Sequence, residues 1–486
     1  MNFVQVDFLW FMAITFTAYW TVGQLPRGRV WQNVLLIFAS SIFYGWVHPW
    51  FLILLFISAH TDYFAARAIE RYAQYKQYIL LASVSTQLGI LGYFKYFNFF
   101  VENVIAVMHA LGVHTELRTL AIILPVGVSF YTFQTIGYTI DVYRGDIRAQ
   151  RNYINYLLFV TFFPQLVAGP IERAPHLLPQ VENPRSFSWE RTISGISLAA
   201  WGAFKKVCLA DTISPYIDKV FIVEDPSGPL IWSAAIAFSV QIYADFSGYT
   251  DIARGVARML GFDLLENFKS PYLAATTPEF WQRWHISLSF WIRDYLMVPL
   301  LGAASRLTLF RFVWATILTF VIIGFWHGAS WNFILFGFWH GMWMSIYTLA
   351  GRYWPERLRR APLGMFRLDG GGIGRPIAIV FHFFAVSVVG SLLFRERHVD
   401  RIFQHLGKHP FLATQEDWMA ASVVVGMTIF CATPLVISHF VERYFTPRVR
   451  ASVWFLPIQT ATWAVLGMCM FIFFRVSASD FIYFQF

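Results

Sequence analysis

Residues 324–341 read GFWHGASWNFILFGFWHG, and the pentapeptide Gly-Phe-Trp-His-Gly both opens and closes this stretch. The repeat places His327 and His340 thirteen residues apart in an otherwise apolar segment. At about 100° per residue, a continuous helix would set the two histidines roughly 140° apart, on different faces. The Gly, Ser and Asn of GASWN (328–332) favour a turn instead. We therefore expect His327 at the end of one span and His340 well inside the next.

The composition of the whole chain is that of a membrane protein. Of its 486 residues, 57% are hydrophobic and 13% are charged, whereas soluble domains have roughly 45–50% and 25%. We expect an all-α polytopic fold with roughly 11–13 transmembrane helices, each needing about 20 apolar residues. We treat 1–486 as a single domain. Spans are predicted near 6–22, 30–47, 49–66, 78–94, 119–139, 155–171, 192–209, 228–246, 309–326, 331–350, 376–394, 418–440 and 452–475.

Three further segments mix charged with apolar residues and predict interfacial or re-entrant helices: 98–113, 247–265 and 279–302. The loop 351–375 holds six arginines, so we expect it on the cytoplasmic side. The net charge of +9 follows from such loops. It indicates contact with anionic membrane lipid and requires no nucleic-acid partner.

Polar residues collect between about 241 and 341. Gln241 and Asp245 are four residues apart, so they share a helix face and could form the wall of a substrate cavity. Ser247 and Gly248 then indicate a turn or a broken helix. The alternative is a plain helix end, with Asp251 capping the helix that follows.

The stretch 276–302 predicts an amphipathic helix. Helical spacing would place an aromatic stripe on one face, with His285 inside it: Trp281, Trp284, His285, Leu288, Trp291 and Tyr295. A tryptophan stripe alone is typical of membrane anchoring. A histidine within the stripe adds a group that can act in catalysis.

The residues favour direct transfer over a covalent enzyme intermediate. A neutral imidazole can take a proton from a hydroxyl at physiological pH. The sequence has no GxSxG elbow for a nucleophilic serine. It also has no HExxH-like spacing, so we assign no metal site.

Several segments in order resemble the membrane-bound O-acyltransferase family, in its bacterial branch that acetylates alginate, peptidoglycan and cellulose. They are PVGVSFYTFQTIGYTIDVYRGD (125–146), FPQLVAGPIER (163–173), YADFSGYTD (243–251), RWHISLSFWIRDY (283–295), GFWHGASWNFILFGFWHG (324–341) and FIYFQF (481–486). The resemblance implies an arch of helices around a central funnel. It implies His327 as catalytic base and His285 as a second catalytic residue, with His340 in a supporting role.

The resemblance also implies acetyl-CoA as the acyl donor, with no bound cofactor. The acceptor would be an exported polysaccharide such as alginate, reached directly or through a periplasmic acetyltransferase partner, at the bacterial inner membrane. Candidate substrate-binding residues are Asp245, Gln241, Trp326, Asn332, Arg283 and Ser287. Two alternatives stay open, namely D-alanyl transfer to teichoic acid and a transporter of acyl groups or glycans.

Overall fold

The chain folds into α-helices connected by short turns. The computed structural model describes residues 1–167, 169–302, 308–353, 374–441 and 455–473. Within these ranges it contains no β-strand. The predicted all-α fold class is confirmed. The C-terminal motif FIYFQF (481–486) and most of the arginine-rich loop, 354–373, lie outside the described residues.

In the first half of the chain, the helices follow one another closely. They are α1 (Val6–Val22), α2 (Gly28–Gly45), α3 (Phe51–Arg71), α4 (Lys76–Leu91), α5 (Phe97–Ala110), α6 (Val128–Arg144), α7 (Tyr153–Thr161), α8 (Phe163–Leu166), α9 (Ala174–Glu182), α10 (Trp189–Phe204) and α11 (Asp211–Ile222). A π-helical segment, Lys205–Ala210, joins α10 to α11.

The second half begins with an α-helix of 32 residues. Its helices are α12 (Gly228–Met259), α13 (Thr277–Trp281), α14 (Ile286–Ile292), α15 (Val298–Leu301), α16 (Leu309–His327), α17 (Trp331–Tyr353), α18 (Gly374–His382), α19 (Val389–Arg395), α20 (Val399–Leu406), α21 (Gln415–Phe440) and α22 (Phe455–Phe473).

Seven helical stretches among the described residues are long and apolar enough to cross a membrane: Phe51–Arg71, Trp189–Ile222, Gly228–Met259, Leu309–His327, Trp331–Gly351, Gly374–Arg395 and Gln415–His439. Two shorter apolar helices are Val6–Val22 and Pro457–Phe473. The predicted stretch 155–171 is instead divided between α7 and α8, with Pro164 just after the break at Phe162. The multi-pass architecture is thus confirmed, while the full count of 11–13 spans and the arch around a funnel stay predictions.

The described chain divides into two compact units. One comprises Met1–Ile196 with Ala253–Leu265, and the other comprises Ser197–Ile252 with Glu266–Phe486. In the first unit, α3 packs on α4 and α6, and buried Asp62 accepts hydrogen bonds from Ser83 and Gln87. All the predicted site residues belong to the second unit.

The predicted turn at 328–332 is confirmed, because α16 ends at His327 and α17 begins at Trp331. The two helices then pack at backbone contact. A Cβ added to Gly324 would lie 2.0 Å from the carbonyl oxygen of Phe333, and one added to Gly337 would lie 2.2 Å from that of Phe320. Only glycine allows this approach, so the glycines of the repeat determine the hairpin.

Two predictions about helix boundaries were wrong. Ser247 and Gly248 do not break the chain, since α12 is continuous from Gly228 to Met259. Gly248 instead packs against Gly202. A Cβ added to Gly202 would lie 2.4 Å from the carbonyl oxygen of Gly248. The glycine serves a helix–helix contact, which sequence propensity cannot distinguish from a turn.

The predicted aromatic helix over 279–302 is also interrupted. Helix α13 ends at Trp281, and the chain turns before α14 begins at Ile286. His285, between them, has φ +43°, in the left-handed region. The aromatic stripe therefore does not run along one helix.

Candidate active site

His327 and His340 line the same buried cavity. The turn at 328–330 folds α17 back along α16, so two residues that one straight helix would separate face a common space. Their exposed fractions are 5% and 2%. The cavity measures about 30 Å³, about the volume of one water molecule. We call it the histidine cavity; its remaining lining residues are Ile242, Tyr272, Phe280, Trp281, Trp284, Phe336, Ser387, Ser391 and Phe394.

Aromatic rings surround the imidazole of His327. The ring centroids of Trp326, Phe394 and Phe336 lie 4.8, 5.2 and 5.9 Å from its own. These rings hold the imidazole in place and shield it from bulk water. Electrostatic interactions with a reacting group are stronger in such a site than in bulk water.

His340 is held equally firmly, on the other helix of the hairpin. Its ring stacks on Phe280 at 6.0 Å and meets the rings of Trp281 and Phe336 at 5.3 and 4.7 Å. Its Nε2 occupies the space that a side chain at position 390 would need, since a Cβ added to Gly390 would lie 2.6 Å from that atom. Phe336 contacts both histidines, so one aromatic ring packs against the two imidazoles.

His285 lies outside the residues that line the histidine cavity. Its ring meets that of Phe246 edge-on at 4.8 Å and lies 6.3 Å from that of Trp326, which in turn contacts His327. It is completely buried, and neither ring nitrogen has a hydrogen-bond partner among the described residues. His285 thus packs against Trp326, which in turn contacts His327.

Asn267, which sequence reasoning missed, holds the strained turn at His285. Its carbonyl oxygen accepts from the amide of Ile286 at 3.0 Å, and its Oδ1 accepts from the amide and hydroxyl of Ser287 at 3.2 and 2.7 Å. These bonds offset the cost of a left-handed histidine, which is about 1–3 kcal/mol for such a conformation. Ser287, predicted to bind substrate, is engaged in this support.

Asp245 forms a buried ion pair with Lys206. The lysine Nζ lies 2.9 Å from a carboxylate oxygen of Asp245 and 2.9 Å from one of Asp211. Asp251 lies inside the continuous helix α12, so it does not cap a following helix, and it pairs with Lys205 at 2.6 Å. Gln241 is buried on the same helix as Asp245, and its Oε1 has no hydrogen-bond partner among the described residues.

The remaining predicted substrate-binding residues hold the walls of the site together. Arg283 pairs with Glu279 at 2.8 Å, and Glu279 also pairs with Arg375 at 2.6 Å. The side-chain amide of Asn332 donates to the carbonyl oxygens of Leu393 and Phe394 at 3.1 and 3.2 Å. Asn332 thereby ties α17 to the end of α19. Trp326 contacts His327 directly, as described above.

Ser387 and Ser391 were missed because a serine in an apolar helix gives little signal. Both line the histidine cavity. The hydroxyl of Ser391 accepts a hydrogen bond from Ser239 at 2.8 Å. That of Ser387 is buried without a hydrogen-bond partner among the described residues, so it can bind a ligand atom. In those residues no group of three or more His, Cys, Asp or Glu side chains is placed to hold a metal ion.

Comparison with known proteins gives a consistent set of relatives. The sequence profile of the membrane-bound O-acyltransferase family matches residues 146–388. The probable alginate O-acetylase AlgI of Azotobacter vinelandii is 40% identical over 373 residues, which cover 76% of this chain and 71% of the relative. The peptidoglycan O-acetyltransferase of Helicobacter pylori is 33% identical over 355 residues, covering 66% and 65%. The teichoic acid D-alanyltransferase of Bacillus subtilis is 26% identical over 292 residues, covering 56% and 70%.

Proposed function

Because this chain belongs to the membrane-bound O-acyltransferase family, we propose that it transfers acetyl groups from cytoplasmic acetyl-CoA to an exported polysaccharide such as alginate. It would do so at the bacterial inner membrane, directly or through a periplasmic acetyltransferase. The two relatives reported above with 40% and 33% identity are named for O-acetyl transfer. One structural observation supports the proposal most: two buried imidazoles, both within the region that the family profile matches, line one cavity.

In the proposed reaction, His327 takes the proton from the acceptor hydroxyl as its oxygen attacks the thioester carbonyl. The C–S bond then breaks, and the imidazolium returns the proton to the departing thiolate. His340 faces the same space and can hydrogen-bond the developing oxyanion. Since the histidine cavity holds about one water molecule, its walls must separate to admit an acetyl group. His285 acts through Trp326, as a positioning residue.

Transfer of D-alanine to teichoic acid is the second candidate. A relative with that activity in its name aligns at 26% identity, against 40% for the alginate O-acetylase. This difference favours acetyl as the acyl group. A supply of acetyl-CoA and of a D-alanyl carrier protein to the same purified chain would separate the two candidates.

A transporter of acyl groups or glycans is the rival from another class. A transporter needs no general base, whereas this chain buries two histidines in one cavity. Release of free CoA from acetyl-CoA by the purified chain would exclude transport alone.

The proposal is tested by reconstituting the wild type and the variants His327→Ala, His340→Ala and His285→Ala in membranes. Free CoA and acetylated polymer are then measured, with polysaccharide and a periplasmic partner supplied. A loss of roughly 10²-fold or more is expected for His327→Ala. His405→Ala is the matched control, because His405 is completely buried but does not line the cavity. Unchanged CoA release in His327→Ala would contradict the base assignment.

A further inference from the structure

Ser270 and His439, which do not line the histidine cavity, form a hydrogen-bonded pair. The Oγ of Ser270 lies 2.6 Å from Nδ1 of His439. Ser270 directly precedes the short turn Pro271–Leu273, and His439 lies in the last turn of α21. A serine oxygen that lies roughly 2.6–3.2 Å from an imidazole nitrogen has the geometry of a nucleophile beside its general base.

The backbone of Ser270 is strained. Its φ of +48° and ψ of +61° place it in the left-handed region, together with only Arg27 and His285 among the described non-glycine residues. Proline at the next position restricts residue 270 further, towards extended conformations. Strained conformations of this kind cluster at functional sites, and nucleophilic serines of α/β-hydrolases also occupy a sharp, strained turn.

A second cavity opens beside the pair. It measures about 110 Å³, larger than the histidine cavity at about 30 Å³. Both Ser270 and His439 line it, and the rest of its wall is mostly apolar: Val240, Tyr243, Pro271, Tyr272, Leu273, Ala432, Leu435 and Val436. An apolar pocket with a few convergent polar groups is suited to a ligand with an apolar body and one polar reacting centre.

We propose that Ser270 and His439 are a nucleophilic dyad that accepts a short apolar acyl group from an ester or a thioester. His439 Nδ1 takes the proton of the Ser270 hydroxyl as Oγ bonds to the carbonyl carbon. The bond to the leaving oxygen or sulfur then breaks, and the imidazolium protonates that atom. The products are a serine ester and a free alcohol or thiol. Water, activated by the same imidazole, hydrolyses the ester and regenerates Ser270. This site is separate from the base-catalysed transfer proposed above and does not depend on it.

The full chain in lipid nanodiscs is treated with a small alkyl fluorophosphonate, which bonds to an activated serine with loss of fluoride. Peptide mass spectrometry is expected to locate the adduct on Ser270. The labelling rate should fall by about 10²-fold or more in His439→Gln, because the general base is lost. p-Nitrophenyl butyrate should give a burst of one p-nitrophenol per chain, with the same dependence on His439.

Ser270→Gly removes the nucleophile and keeps the fold, because glycine adopts a positive φ without strain. It should lose the adduct and the burst while its thermal unfolding midpoint stays equal or rises. Ser438→Ala is the matched control, because Ser438 lies beside His439 but donates to the carbonyl oxygen of Leu435. His327→Ala should label normally, which separates this site from the histidine cavity. A folded wild type without an adduct on Ser270, or with a labelling rate unaffected by His439→Gln, would show that the pair only ties the turn to α21.

Discussion

The packing of His340 against Gly390 predicts that a single added methyl group will impair the histidine cavity. In Gly390→Ala, the new Cβ would lie 2.6 Å from Nε2 of His340, whereas ordinary contact begins at 3.4 Å. The imidazole must therefore retreat by about 0.8 Å. Phe280 stacks on one face of the ring while Trp281 and Phe336 pack around it, so the space left for the retreat is the histidine cavity that His340 lines.

The expected cost follows from these contacts. Forcing an extra methyl group into a packed interior costs about 1–3 kcal/mol. A displacement of about 1 Å in a catalytic constellation lowers the rate by as much as 10²-fold. We expect the rate of CoA release to fall by about 10–10²-fold in Gly390→Ala. Its thermal unfolding midpoint should fall modestly.

The matched control is Gly426→Ala, in the middle of α21. No atom lies within 4 Å of an added Cβ there, so alanine should stabilise the helix by about 0.4–1 kcal/mol and leave the rate unchanged. CoA release and thermal unfolding are measured on both variants in the same nanodiscs. Full activity in Gly390→Ala would refute the reasoning, since it would mean that the position of His340 has no influence on the reaction.

Three further predictions concern stability and are read from thermal unfolding midpoints. Gly337→Ala brings a Cβ to 2.2 Å from the carbonyl oxygen of Phe320 and should force α16 and α17 apart, at a cost of at least about 1–3 kcal/mol; Gly351→Ala, with open space around it, should cost far less, and equal losses would contradict the tight hairpin. Lys206→Met removes the cation that Asp211 and Asp245 share and should cost about 3–5 kcal/mol. Asp245→Asn should cost less, because Lys206 keeps Asp211; the reverse order would count against this account. Burial raises the pKa of Glu172, and the hydrogen bond to Glu172 raises the pKa of His176. Both upward shifts stabilise the fold below the unfolded-state pKa values, and this stability is lost as pH rises through the folded-state values. Glu172→Gln should therefore flatten the decline in the unfolding midpoint as pH rises above about 4.3, the unfolded-state pKa of a glutamate, and an unchanged decline would exclude this pair as its source.

Local patterns in the sequence predicted the helices and the hairpin that holds the two histidines. The turn at 328–332 was correctly placed because Gly, Ser and Asn follow an apolar run that is already long enough to span a membrane. The same reasoning failed at Ser247 and Gly248. There the glycine packs against Gly202, 46 residues earlier, and no local pattern reports such a contact.

In the site too, the sequence identified residues that stand in a local pattern, but not the contacts between residues that are distant in the chain. His327 and His340 were identified from their repeat, but their common cavity depends on how tightly α16 and α17 pack. Asp245 was chosen as a carboxylate in an apolar helix. Its ion pair with Lys206 could not be foreseen, because the lysine comes from a different helical segment. Asn267 gave no signal, since its importance lies in the backbone strain of His285, eighteen residues later.

Tyr272 belongs to the walls of both the histidine cavity and the cavity beside Ser270. Its hydroxyl donates to the carbonyl oxygen of Ser239, so the ring is held at one end. A ligand that displaces this ring in one cavity changes the wall of the other. Occupancy of the two cavities is then linked thermodynamically, and the linkage is reciprocal: each ligand changes the affinity for the other by the same factor. One aromatic side chain would thus set the sign and the size of the cooperativity between two ligands that never touch.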